Sequence, residues 1–237
     1  MTSGLEWSEG GGDDDYFSMG FSDNWIEYVL NRPMIADPGE VFQYNTGGSH
    51  LLAAILNIST GMTPLAFGEE HLFNPIGIED IYWPTDTEGI NNGGSDCGIT
   101  PRDMARIGYL FLNNGTWDGM QVVPEDWVSE ATSTMVDMNP NLGYGYQWWT
   151  TPNMDLYSAR GYHGQLIVII PEYDLVVVTT ADDPSTTNTL FDILSTYIIP
   201  SIENYLEPVE SAVVISAVVI SVVALISIVF VMRKRSM

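Results

Sequence analysis

A chain of 237 residues with 45% apolar content has the material for a packed core, which excludes a disordered polymer. Its 31 acidic residues face only 7 basic ones, a formal net charge of -24, and this excludes nucleic acid as a partner because phosphate binding needs clustered Lys and Arg. The single cysteine, Cys97, excludes an internal disulfide and a cysteine-built zinc cluster; with no basic residue nearer than Arg102 it reads as an ordinary thiol.

In chain order, Gly10 to Gly20 (GGGDDDYFSMG) reads as a loop in which Asp13, Asp14 and Asp15 either serve solvation or hold a divalent cation. Their spacing lacks the glycine and distal glutamate of a calcium loop, so no metal site is assigned. Ser22 to Leu30 predicts a short helix capped by Ser22 or Asp23, and Pro38-Gly39 turns the chain. From Gly48 to Asn57, followed by Ile58, the apolar residues Leu51, Leu52, Ala54, Ile55 and Ile58 fall at helical spacing, so FQYNT feeds a helix that Gly61 ends. Thr63 to Leu72, Thr100-Pro101 to Gly115 and Pro124 to Thr132 predict three more helices, each with proline at its start.

After Leu142 the texture changes. Leu166 to Ile170 and Leu175 to Thr180 are continuous runs of β-formers separated by Pro171-Glu172-Tyr173-Asp174, which predicts a strand pair buried on both faces. Ser185 to Tyr205 predicts a covering helix kinked or broken at Pro200. Helices, then antiparallel strands, then a covering helix define an α+β fold.

Ser211 to Met232 is uncharged over 22 residues, a helical length of roughly 33 Å against a hydrocarbon core of about 30 Å. It is expected to span a membrane, with the basic tail at 233–237 (Arg233, Lys234 and Arg235) in the cytoplasm and the main domain, 1–207, outside the cytoplasm. The first residues, MTSGLEWSEGGGDDDYF, carry no signal-peptide pattern.

Six blocks in fixed order carry a more specific signal: TSGLEW, PGEVFQYNTGGSHLLAAIL, NPIGIED, GITPRDMARIGYLFLNNGTWDGMQVVPEDWV, YGYQWW and ARGYHGQLIVIIPEYDLVVV. Together, over about residues 1 to 205, they resemble the serine β-lactamase-like family of class C β-lactamases, penicillin-binding proteins, related esterases and nylon-oligomer hydrolases. The resemblance implies a helical region beside an antiparallel sheet, no cofactor, and acyl transfer or hydrolysis of an amide or ester. In that family a Ser-x-x-Lys serine attacks a carbonyl while a tyrosine of a Tyr-x-Asn motif shares the proton handling with the lysine. Tyr44 matches that tyrosine, and Thr46 stands where the family has asparagine. Tyr162, His163 and Gly164 match the Lys-Thr-Gly strand edge, a substrate-binding position, and the Gln165 N–H is the implied oxyanion donor. Tyr162 in place of lysine removes a carboxylate-binding cation, which favours a neutral ester or amide over an anionic β-lactam.

The motif's nucleophile is missing from these residues. Lys234 is the only lysine and Val231 stands three before it, so no Ser-x-x-Lys occurs. The resemblance places that helix ahead of TSGLEW; the chain is therefore expected to be a fragment starting after it, inactive alone, with an incomplete sheet and an unpaired edge. No G-x-S-x-G elbow substitutes, and His50 and His71 read as scaffold, whereas His163 stands evenly between site and scaffold. The alternative is a non-catalytic, acidic extracytoplasmic binding module on the same scaffold.

Overall fold

The computed structural model describes residues 1–12, 14–183, 185–206 and 230–233. They fall into two compact units, Met1–Ile99 and Thr100–Met237.

The first unit is helical: α1 (Asp15–Gly20), α2 (Trp25–Leu30), α3 (Thr46–Thr60) and α4 (Pro64–Gly68), the last running on through a π turn at Glu69–Phe73. Each start has a local cause. Asp14 caps α1 by accepting from the Tyr16 and Phe17 N–H groups, and the cap of α2 is Asn24, one residue beyond the expected Asp23, because its side chain reaches the Glu27 N–H. Asn45 caps α3, and Gly61 ends that helix in the left-handed conformation at φ 72°. Trp7, Met19 and Val29 form the core, and Gly47 allows α3 to lie on it, since a Cβ there would sit 2.4 Å from the Trp7 ring. Asp15, buried at the foot of α1, accepts from the Tyr28 hydroxyl and pairs with Arg32 at 3.3 Å. Asp14 and Asp15 are thus both engaged in holding helices; Asp13 lies outside the described residues.

The second unit opens with α5 (Pro101–Leu112), a two-residue hairpin of β1 (Thr116–Trp117) and β2 (Met120–Gln121), and α6 (Glu125–Ala131). A seven-stranded antiparallel meander follows in sequence order: β3 (Val136–Asn139), β4 (Leu142–Tyr144), β5 (Trp149–Thr151), β6 (Leu156–Arg160), β7 (Leu166–Ile170), β8 (Leu175–Thr179) and, from the chain's end, β9 (Phe230–Arg233). Every residue of β7 and β8 is buried. One face packs on Leu190 of α7 (Thr186–Ile193) and on Leu194 just after it, and the other receives α5 at Gly108, where a Cβ would lie 2.5 Å from Val176 and 2.9 Å from Ile167. The covering helix breaks earlier than expected: a π turn at Leu194–Ile198 separates α7 from α8 (Ile199–Leu206), so the irregularity precedes Pro200.

Two tight corners share one design. Pro152–Met154 joins β5 to β6 and Pro171–Tyr173 joins β7 to β8, each a 3₁₀ turn closed by an aspartate in the left-handed conformation, Asp155 at φ 45° and Asp174 at φ 49°.

The C-terminal expectation is altered in part. Residues 211–229 of the predicted span lie outside the described residues, but Phe230, Val231 and Met232, expected as the end of a membrane helix, form β9 with Arg233 against β8. Phe and Val are good strand formers, and the outer edge of β8 offers unpaired N–H and C=O groups. β9 rather than β8 is then the edge strand at this end of the described sheet. No described helix is long and apolar enough to cross a membrane.

Candidate active site

In the first unit the cap of α3 builds the tyrosine position. Asn45 is 1% exposed, and its Oδ1 accepts from the Gly48 N–H at 2.6 Å, which fixes the turn that presents Tyr44. Tyr44 is 38% exposed. Its hydroxyl is held above the ordinary tyrosine range by burial, with the neighbouring Glu9 carboxylate adding to the effect. Glu9 is itself pinned: one oxygen accepts from the Trp7 indole N–H and from the Thr46 N–H at 2.7 Å, so a carboxylate caps the first turn of α3. A phenolate at Tyr44 needs a cation beside it, and the charge recorded there is negative. Thr46 is buried, with Gly94 directly against it.

The loop carrying Gly94 is anchored through Asn92, whose Oδ1 accepts from the Gly94 and Ser95 N–H groups. The Ser95 hydroxyl lies 2.8 Å from both the Tyr16 hydroxyl and Asp96 Oδ2, and Asp96 holds the left-handed conformation at φ 64°. The Cys97 thiol that follows is exposed, yet the protein packed around it pushes it up to about 11, which favours the protonated form at neutral pH.

In the second unit Tyr162, His163 and Gly164 form a 3₁₀ turn between β6 and β7, rather than lying on a strand edge as expected. The ladder ends at Arg160 opposite Leu166, and the Gly161 N–H closes the turn onto the Gln165 carbonyl at 2.7 Å. His163 at φ 55° and Gly164 at φ 95° cannot continue a strand, and only glycine takes the latter without strain. Several ties fix the turn. Thr179 Oγ1 donates to the Gly164 carbonyl, the Asp183 N–H donates to the His163 carbonyl, and the Gln165 side chain brackets Ala181 by donating to its carbonyl and accepting from its N–H. Among the described residues no acceptor takes the Gln165 N–H. Tyr162, 83% exposed, stacks on His163 at 3.7 Å, and His163 Nδ1 lies 2.7 Å from Asp182 Oδ1.

The structure thus groups Tyr44 with Thr46 in one unit and Tyr162, His163, Gly164 and Gln165 in the other. Sequence reasoning missed Glu9, Asp86, Asp182 and the Asn92–Asp96 loop. No local pattern marks Glu9 or Asp86, whose partners lie 37 and 36 residues away.

A helical unit and a unit built on an antiparallel sheet make the chain α+β. The chain belongs to the Beta-lactamase family, whose model matches residues 1–195. It is similar to the 6-aminohexanoate-dimer hydrolase of Paenarthrobacter ureafaciens, 31% identical over 161 residues, which are 61% of this chain and 41% of that protein. The chain therefore spans less than half of that hydrolase. Among solved structures, a candidate 6-aminohexanoate-dimer hydrolase from Bacillus anthracis superposes with TM-score 0.73 at 25% identity, covering 86% of this chain and 59% of that one. A penicillin-binding protein from Bacillus halodurans shares the fold at TM-score 0.56 and 18% identity, covering 72% of this chain and 63% of that one.

Proposed function

We propose that this chain is part of a serine hydrolase acting on an amide or ester, with Tyr44 in proton handling and the Gln165 N–H as an oxyanion donor. The observation that carries the reading is the Gly161–Gln165 turn. Its shape is fixed from both flanks while the Gln165 amide has no acceptor among the described residues, and a preorganised amide of this kind stabilises developing negative charge by about 3 kcal/mol. The similarity to a hydrolase named for an amide dimer supports the substrate class.

These residues hold no Ser-x-x-Lys, and Tyr44 is shifted away from a base active at neutral pH. The polypeptide alone is therefore expected to turn over neither an activated ester nor the linear 6-aminohexanoate dimer, and a fluorophosphonate probe should leave residues 1–210 unlabelled by mass spectrometry. Labelling within 1–210 would overturn this assignment of roles. The same two observations favour the second reading, a non-catalytic binding module. The genomic sequence immediately upstream separates the two: an in-frame Ser-x-x-Lys supports the hydrolase and its absence supports the module.

Membrane attachment through the apolar stretch from Ser211 onward is part of the same proposal, motivated by its length and lack of charge; in the anchored state Phe230–Arg233 leave β8, because a single crossing puts the two ends of the stretch on opposite sides of the bilayer. Expressed from its own sequence, the chain should stay with membranes washed in alkaline carbonate; recovery in the soluble fraction would rule out an anchor.

A further inference from the structure

We propose that His50 is a positioning residue, which in a single neutral tautomer seats the Gly93–Cys97 loop on the first turns of α3, against Thr46. The imidazole is wholly buried and both nitrogens are engaged. Nε2 lies 2.9 Å from Asp86 Oδ2, and the Gly93 N–H reaches Nδ1 at 3.3 Å. A backbone N–H can only donate, so Nδ1 carries the lone pair and the ring proton sits on Nε2, donated to the Asp86 carboxylate. The other tautomer, or the imidazolium, sets N–H against N–H at Gly93. Asp86 is held in turn, with Oδ1 accepting from the Glu88 N–H at 2.9 Å and the Ile90 N–H at 2.8 Å. On the remaining side the neutral Trp25 ring meets the imidazole edge-on at 5.2 Å.

What hangs on Nδ1 is the seat of the loop. A Cβ at Gly93 would lie 2.6 Å from the Ser49 carbonyl, and one at Gly94 would lie 2.1 Å from the Thr46 methyl, so the loop rests flat on the helix with no room for a side chain. His50 ties down the start of this contact and the Tyr16–Asn92–Ser95 cluster ties down its end. Loss of the first tie frees Gly93–Cys97 to lift away from Thr46 while the helix itself stays formed.

The functional weight of this anchor rests on the proposal that Tyr44 and Thr46 border the reacting centre; the anchor itself does not, and its test needs no catalysis. In the full chain in detergent micelles, the two hydrogen bonds are separated by near-isosteric variants. His50→Asn places an acceptor where Nδ1 stood, and His50→Gln places a donor where Nε2 stood. The Gly93 and Gly94 N–H groups report the seat of the loop through their rates of amide hydrogen exchange. His50→Gln should speed exchange at Gly93 and Gly94 by about tenfold and His50→Asn should leave it within about twofold of the parent, whichever variant loses more thermal stability. Rates that track lost stability in both variants would reduce His50 to scaffold. If neither variant folds, the ¹⁵N shifts of the parent's ring decide: a protonated Nδ1 at neutral pH overturns the anchor, and a bare Nδ1 upholds it. Failure of the hydrolase proposal leaves these outcomes unchanged, so the two are told apart.

Discussion

Gly108→Val should cost the second unit about 3 kcal/mol or more, read as a fall in the urea midpoint at unchanged slope. Gly108 is where α5 meets the sheet, and an added Cβ would lie 2.5 Å from Val176 Cγ1 and 2.9 Å from Ile167 Cγ2. Both neighbours belong to β7 and β8, which are buried along their whole length, so neither side chain has space to retreat into. The companion Gly108→Ala makes the argument sharp. On an open helix surface that change stabilises by about 0.5 to 1 kcal/mol, whereas here contact should reverse the sign. A more stable alanine variant would show that α5 does not approach the sheet at this point.

Asp86→Ala should be the most damaging single truncation in the first unit, at about 3 to 5 kcal/mol. The carboxylate is buried and accepts from three N–H groups, those of Glu88, Ile90 and His50, and the alanine variant leaves the buried Ile90 and His50 donors without an acceptor. Asp86→Asn keeps the acceptor for the two backbone donors but sets an amide NH₂ against the His50 ring, and should cost about 2 kcal/mol. Tryptophan fluorescence during urea unfolding gives both values, since Trp25 packs on the imidazole. An alanine variant within about 1 kcal/mol of the parent would mean that the pair contributes little to the fold.

Much of the architecture could be read from local signals, for definable reasons. β7 and β8 are unbroken apolar runs between turn residues, and α3 and α5 carry their own caps in Asn45, Gly61 and Thr100-Pro101. β3 to β6 were not foreseen because a stretch such as Val136–Asn139, mostly exposed, is a strand only by virtue of its partner. The β1–β2 hairpin did leave a signal, the Asp118-Gly119 pair with both residues at positive φ. The proposed site residues Tyr44 and Tyr162–Gln165 come from family motifs. The site's electrostatics stayed hidden because Glu9 reaches Thr46, and Asp86 reaches His50, only through the fold. Phe230 to Met232 read equally well as the end of an apolar helix or as a strand, and apolar content alone does not distinguish the two.

The paired Pro-to-Asp corners have an engineering consequence. Thr151-Pro152-Asn153-Met154-Asp155-Leu156 and Ile170-Pro171-Glu172-Tyr173-Asp174-Leu175 are two copies of one bracket, and the segment from Gly161 to Gln165 hangs between the hairpins they lock. With both brackets setting register independently, exposed positions of the suspended stretch, Tyr162 foremost, are open to drift or to redesign without the strands slipping, while Gly164 and Gln165 stay fixed by their geometry. Diversification of chemistry in such a scaffold needs few coordinated changes.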